Sequence, residues 1–173
     1  MKRIAFFVFI GLMAGLANCS TDAVVCSKNV DQTRIDAVPK NQLNTDITKI
    51  TNYLTANNIA NVIVDASGLR YTINKTATGN TPCLSSTVVV NYSGRVLNSS
   101  GSLASTTFDA GSNAQFGLSG LILGWQIAFP KFAPGTQATL YVPSGLAYGT
   151  SSPSSAIPPN SVLVFEVTLV SFQ

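Results

Sequence analysis

One short apolar run limits how this chain can fold. Leu121-Ile122-Leu123-Gly124-Trp125 follows a turn-forming Leu118-Ser119-Gly120 and continues through Gln126-Ile127-Ala128-Phe129 to Pro130. Proline cannot continue a helix interior, so the run has room for about two turns of helix at most. It carries the chain's single Trp. The sequence on both sides is rich in β-branched and aromatic residues with the period of strands. A short helix gripped by an antiparallel sheet puts Trp125 at the bottom of a concave apolar hollow. That hollow is the candidate site.

The 173 residues suffice for one domain with a proper core, plus extensions. Charged residues make up only 10%, against about a quarter in an ordinary soluble chain. Surface polarity must therefore come from Ser, Thr and Asn. Once Lys2 and Arg3 are set aside with the leader, 8 basic residues face 7 acidic ones. This balance gives no electrostatic footprint for nucleic acid. Histidine is absent, and the three Cys form no C-x-x-C pair. His-based triads and His-ligated or thiolate metal sites are thereby excluded, and neither a metal nor a cofactor is expected. Any catalysis has to work without a strong base or nucleophile.

Residues 1–19 read as an export leader, with Met1-Lys2-Arg3 preceding an apolar run from Ile4 to Ala17. The run is too short for a comfortable membrane span. It ends Leu16-Ala17-Asn18-Cys19, similar to a bacterial lipoprotein box in which Cys19 becomes the acylated first residue. The competing cleavage is after Ala17, where Gly15-x-Ala17 gives a small-x-small pattern. Acylation would anchor the protein in the bacterial envelope without a transmembrane helix. Cys26 and Cys83 then remain as an even pair in an oxidising compartment, which predicts a disulfide. Two unrelated thiols are the alternative.

Residues 20–42 read as a polar tether and 43–66 as a helical extension. Leu43, Ile47, Ile50 and Leu54 fall on one helix face, Asp46 is placed in the first turn, and Asn57-Asn58 end it. Such a helix packs on the domain, spaces it from a membrane, or pairs with a second copy. Residues 67–173 form the main domain. Strands are expected at Leu69–Ile73, Thr87–Val96, Phe108-Asp109, Gln115-Phe116, Gln137–Val142 and Val162–Val170, with a turn at Ala110–Asn113. Leu163, Phe165, Val167 and Leu169 should face inward. One short helix among these strands defines an α+β domain on an antiparallel sheet.

Six landmarks occur in order: Val90-Asn91-Tyr92-Ser93-Gly94, Phe108-Asp109, Leu121-Ile122-Leu123-Gly124-Trp125, Leu146-Ala147-Tyr148-Gly149, Ile157-Pro158-Pro159-Asn160 and Leu163-Val164-Phe165-Glu166-Val167. From about Gly68 to the end the chain resembles the FKBP-type peptidyl-prolyl isomerases, and its leader and helix resemble their envelope-anchored members in Gram-negative bacteria. The resemblance implies a twisted antiparallel sheet of five to six strands wrapped around one short helix. It makes Trp125 the floor on which a proline ring sits, with Tyr92, Phe108 and Phe165 as walls and Leu121 and Ile157 completing the lining. The Ile122 N–H and the Tyr148 hydroxyl would donate to substrate carbonyls, and Asp109 lies at the rim. Implied partners are Pro-containing polypeptides and macrolide-type inhibitors.

The departures are local. The best-known members carry a further aromatic wall two positions before the one matched by Phe116, where this chain has Ala114. The Ala110–Asn113 stretch lacks a basic residue to pair with the Asp, and Gly120 stands where an acidic residue often precedes Leu121. Without the resemblance most of these aromatics read as ordinary core. Tyr148 does not, since a Gly/Pro/Ser loop offers a large ring little core to fill. Two other functions remain open on the sequence: a chaperone or docking module that binds Pro-containing segments without turnover, and a structural envelope lipoprotein.

Overall fold

A computed structural model describes residues 26–173. The leader and Cys19 lie outside the described residues. Secondary structure runs α1 (Gln32–Asp36), α2 (Lys40–Ala56), β1 (Ile63–Val64), β2 (Arg70–Lys75), β3 (Thr87–Leu97), β4 (Asp109–Gly117), α3 (Leu123–Ala128), β5 (Gln137–Val142) and β6 (Val162–Phe172). The six strands form one antiparallel sheet in the order β1-β2-β5-β6-β3-β4. Alternation sets its inner face, as period-two sequences dictate. Val88 and Val90 of β3, Leu140 of β5, and Leu163, Phe165, Val167 and Leu169 of β6 are all buried in one core with Trp125, Ile127 and Ala128 of α3. The α+β fold with a short helix on one face of the sheet is the one the sequence predicts.

The helix stops as its chemistry requires. Pro130 enters a short 3-10 turn, Phe129–Lys131, directly after α3, because its ring is tolerated only in a first turn. Five of the six α3 residues are buried, Trp125 and Gln126 among them.

Strict alternation fails at one end of β6, where Val162 and Val164 are buried on the opposite face. The reason is α2. Its Ile50 and Leu54 join Leu97, Tyr141, Val162 and Val164 in a second, smaller core. The helical extension thus packs on the outer face of the sheet. The segment expected as a tether is also docked over its described part. Val30 and Val38 are buried in the main core, and Asp31 caps α1 by accepting from the Thr33 N–H. A disulfide joins Cys26 to Cys83, and the Leu84 N–H donates to the Ser27 carbonyl beside it at 2.7 Å.

Two expectations need correction. Asp46 is not in the first turn of its helix, which begins at Lys40 after Pro39. It is the seventh helical residue and is buried, so the helix dipole is not what it serves. The expected turn at Ala110–Asn113 is instead part of β4, which pairs with β3 at both ends and is interrupted only at Ser112 and Asn113. The extra length is absorbed by a register shift between Val90–Ala114 and Tyr92–Gly111, with Asn113 at a positive φ of 51°. The Asn113 N–H donates to Asn91 Oδ1 at 2.7 Å, which satisfies a donor the bulge would otherwise leave unpaired.

Candidate active site

On the concave face of the sheet, β3, β4, β6 and the start of α3 enclose a cavity of about 220 Å³. Its lining comprises Tyr92, Phe108, Asp109, Phe116, Leu121, Ile122, Trp125, Tyr148 and Phe165, with Gly120 at the edge. Pockets for drug-sized ligands run to roughly 300–1,000 Å³, so the size suits a small ring. The structure brings together eight of the nine residues that the resemblance names. Ile157 is buried in the main core and is not among the lining residues. Phe116 and Gly120 line the cavity in addition.

The floor is built by aromatic edges. Tyr92, Phe165 and Phe116 stand at 82–83° to the Trp125 ring plane, with centroids at 5.4, 5.3 and 6.2 Å. Perpendicular packing matches ring edge to ring face and fixes the ring planes. Phe108 in turn packs edge-on to Phe165 at 5.6 Å. This wall requires Gly94. A Cβ there would lie 2.6 Å from Phe108 Cζ and 2.8 Å from Phe165 Cε1. The Trp125 indole N–H is buried with no hydrogen-bond partner among the described residues, a cost that polar groups in a core usually avoid.

Polar groups sit at one side of the mouth. The Tyr92 hydroxyl donates to Asp109 Oδ2 at 2.8 Å. Burial, the bond to Asp109 and that carboxylate's charge push the Tyr92 phenol up to about 12. Burial, then the Asp109 charge, also raises Tyr148 above the ordinary phenol range. Both hydroxyls are therefore protonated donors at neutral pH. Tyr148 is 39% exposed, and its hydroxyl bonds to no protein atom among the described residues. Ile122 precedes α3 at its N-cap. Its N–H makes no hydrogen bond among the described residues, as expected for the open start of a helix.

Gln126 carries a role that its setting in an apolar run concealed. Fully buried, it donates from Nε2 to the Ser119 carbonyl at 3.1 Å and to the Leu121 carbonyl. Its Oε1 accepts from Arg34 Nη1 at 2.9 Å. The turn presenting Leu121 and Ile122 is thus held from within the helix. A long polar residue interrupting an otherwise apolar short helix was the signal that could have found it. A wider groove of about 510 Å³ lies beside Tyr148, lined by Val38, Pro39 and Gln42 among others. It has no aromatic besides Tyr148, so the smaller cavity is the better candidate for a ring-binding site.

A sheet folded half around one short helix, with an aromatic cavity over its Trp, defines a class of small binding and isomerising domains. The sequence profile of the FKBP-type peptidyl-prolyl cis-trans isomerases matches residues 79–170, and the chain belongs to that family. Among curated relatives, the peptidyl-prolyl cis-trans isomerase Mip of Coxiella burnetii is 39% identical over 120 residues, covering 69% of this chain and 51% of that protein. The outer membrane protein MIP of Legionella longbeachae is 37% identical over 110 residues, covering 64% and 46%. The chain spans about half the length of these relatives. Among solved structures, a peptidyl-prolyl cis-trans isomerase from Pseudomonas syringae superposes with a TM-score of 0.64 at 27% identity, covering 78% of this chain and 95% of that one. FkpA from Escherichia coli gives 0.63 at 29%, covering 82% and 64%. Among the described residues, no helix is long and apolar enough to cross a membrane.

Proposed function

We propose that the chain is a peptidyl-prolyl cis-trans isomerase that assists protein folding in the bacterial envelope, held there by a lipid on Cys19. The observation that carries the activity is the cavity: a small apolar bowl floored by Trp125, with a free N–H and a free phenol at its mouth. Membership of the family supports the same activity, and a relative named as an outer membrane protein supports the location.

Rotation about an Xaa–Pro amide is opposed by resonance, with a barrier of about 18–20 kcal/mol. As the bond twists, the C–N link loses double-bond character and part of its charge separation. A dry aromatic site disfavours the polar planar amide relative to the twisted form. In this reading the proline ring rests on Trp125 between Tyr92, Phe108, Phe116 and Phe165. The Ile122 N–H and the Tyr148 hydroxyl donate to substrate carbonyls, and Asp109 fixes the Tyr92 wall by accepting its hydrogen bond. Each ~1.4 kcal/mol of preference for the twisted amide is a factor of ten in rate. No side chain has to gain or lose a proton, which suits a site without His or Cys.

Exchange NMR on a short peptide with one Xaa–Pro bond tests the proposal. Catalytic amounts of the protein should broaden or exchange the cis and trans signals. Saturable binding without faster exchange would replace the enzyme by a docking module for Pro-containing segments. Neither effect would leave the cavity without a role.

A further inference from the structure

The least expected polar contact in the molecule lies outside the cavity, where α2 meets the loop that carries Tyr148. Asp46 is 2% exposed and Ser144 fully buried. Asp46 Oδ2 accepts from the Ser144 N–H at 2.8 Å and from the Ser144 hydroxyl at 2.6 Å. Its Oδ1 accepts from Gln42 Nε2, one turn earlier, at 2.8 Å. The two ion pairs among the described residues do not involve Asp46. Lys49, one turn on, feels the Asp46 charge without forming an ion pair with it, so burying this carboxylate is expensive, and an apolar side chain would join a helix to a sheet at lower cost. This carboxylate fixes Ser144.

Ser144 is where that fixing reaches the candidate site. Its carbonyl accepts from the Ala147 N–H at 2.9 Å and from the Gly149 N–H at 2.8 Å. These are the residues on either side of Tyr148. On the far side, the Gly149 carbonyl accepts from the Asn160 N–H at 2.7 Å. The phenol end of Tyr148 has no hydrogen-bond partner among the described residues, so its position is set from its backbone. Neighbouring Gly145 seats the N-terminal segment by close approach, since a Cβ there would collide with Val38 Cγ1.

We propose that Asp46, on the N-terminal helix, is a positioning residue for Tyr148, acting through Ser144; this rests on the isomerase reading above. The helical extension then helps to aim a substrate donor. Loss of the carboxylate leaves the Ser144 N–H unpaired and lets the 144–149 turn shift, moving the phenol off the substrate carbonyl.

A double-mutant cycle in the full-length protein tests this on an Xaa–Pro peptide. Asp46→Ala should lower kcat/KM by about 3- to 10-fold, the size of one hydrogen bond. In a Tyr148→Ala background the same change should cost less than about 2-fold, since the group it positions is gone. Asp46→Asn keeps an acceptor for Ser144 and should recover most of the rate. Equal losses in both backgrounds would overturn the proposal, making Asp46 a general scaffold residue. Should Asp46→Ala fail to fold, Ser144→Ala removes one of the two bonds and should show the same dependence on Tyr148; its absence overturns the proposal as well. If the wild type does not accelerate exchange, the isomerase reading falls, and the resonances of Tyr148 decide the contact itself. They should move in Asp46→Asn or Ser144→Ala while the Trp125 indole signal stays in place, and unmoved Tyr148 signals refute the positioning.

Discussion

The Tyr92 hydroxyl donates to Asp109 Oδ2 at 2.8 Å at the rim of the cavity, tying a wall of the site to the first residue of β4. Burial and the neighbouring carboxylate raise the phenol from about 10 to about 12. A raised phenol pKa means that the fold prefers the protonated form. Its contribution to stability is complete below the unfolded value near pH 10 and is lost as pH rises through about 12. Tyr71, Tyr141 and Tyr148 are raised too, so the wild type should be compared with Tyr92→Phe. Denaturant midpoints measured from pH 8 to 12 should fall more steeply for the wild type. Parallel curves would show that the fold does not favour the protonated Tyr92 phenol.

Phe108 and Phe165 touch each other but should answer differently to truncation. Phe165 lies on the inward face of β6 and is 4% exposed. Phe165→Ala leaves a cavity costing roughly 3–5 kcal/mol and should impair both folding and rate. Phe108 precedes β4 and is only partly buried. Phe108→Ala should cost about 1–2 kcal/mol of stability and yet slow isomerisation about tenfold, by wetting the bowl. Denaturation curves and exchange rates on the same samples separate the two, and a wild-type rate in Phe108→Ala would misplace the site.

What could be read from the chain depended on how local each signal was. Val88, Val90, Leu163, Phe165, Val167 and Leu169 declared an inner face by alternation alone, and Pro130 fixed the end of the helix. The stripe Leu43, Ile47, Ile50, Leu54 gave α2, but not the surface that receives it. That surface, Tyr141, Val162 and Val164, is contributed by distant strands, and no local pattern announces it. Asp46 and Gln126 were hidden for the same reason. Each is a polar residue on a buried face, and a partner of each, Ser144 for Asp46 and Arg34 for Gln126, lies far away in the sequence. Periodicity placed Trp125 in a hollow and the Gly/Pro/Ser loop singled out Tyr148, but only the family resemblance made Tyr92, Phe108 and Phe165 walls of a site, since alternation alone makes them core.

Cys26 and Cys83 are bonded across a separation of 57 residues. In the chain-entropy picture, closing such a loop is worth about 4 kcal/mol, with typical measured values of about 2–4. The double Ser variant should therefore melt lower by roughly 5–15 °C. It should still fold, because the Leu84–Ser27 backbone bond and the buried Val30 remain. A melting temperature unaffected by reductant or by the substitutions would refute the stabilising role.

Cys19 closes the apolar run of the leader, and the proposed anchor depends on it. Replacing Cys19 by Ser should move the protein from the membrane fraction to the soluble envelope fraction. Mass spectrometry of the wild type should find an acylated N-terminal Cys. An unmodified chain beginning at Asn18 would place cleavage after Ala17 and remove the anchor.

Ala114 shares a strand face with Phe116, and its cross-strand partner Val90 points into the core. It is absent from the cavity lining, so the bowl lacks a wall on this side. A bulky residue before the proline gains little there, and the wild type should discriminate weakly among Ala, Leu and Phe at that position. Ala114→Phe adds a ring beside Tyr92 and Phe116, neighbours that already pack edge-on at 5.9 Å. An aromatic contact of this kind is worth about 0.5–1.5 kcal/mol, or roughly 2- to 10-fold in kcat/KM for Leu-Pro and Phe-Pro peptides. Ala-Pro peptides should be nearly unaffected, since a methyl group reaches no new surface. The Gly111 backbone lies close by, with its virtual Cβ 3.1 Å from the Ala114 Cβ. A uniform change across all three peptides would mean that the residue before the proline does not lie against β4.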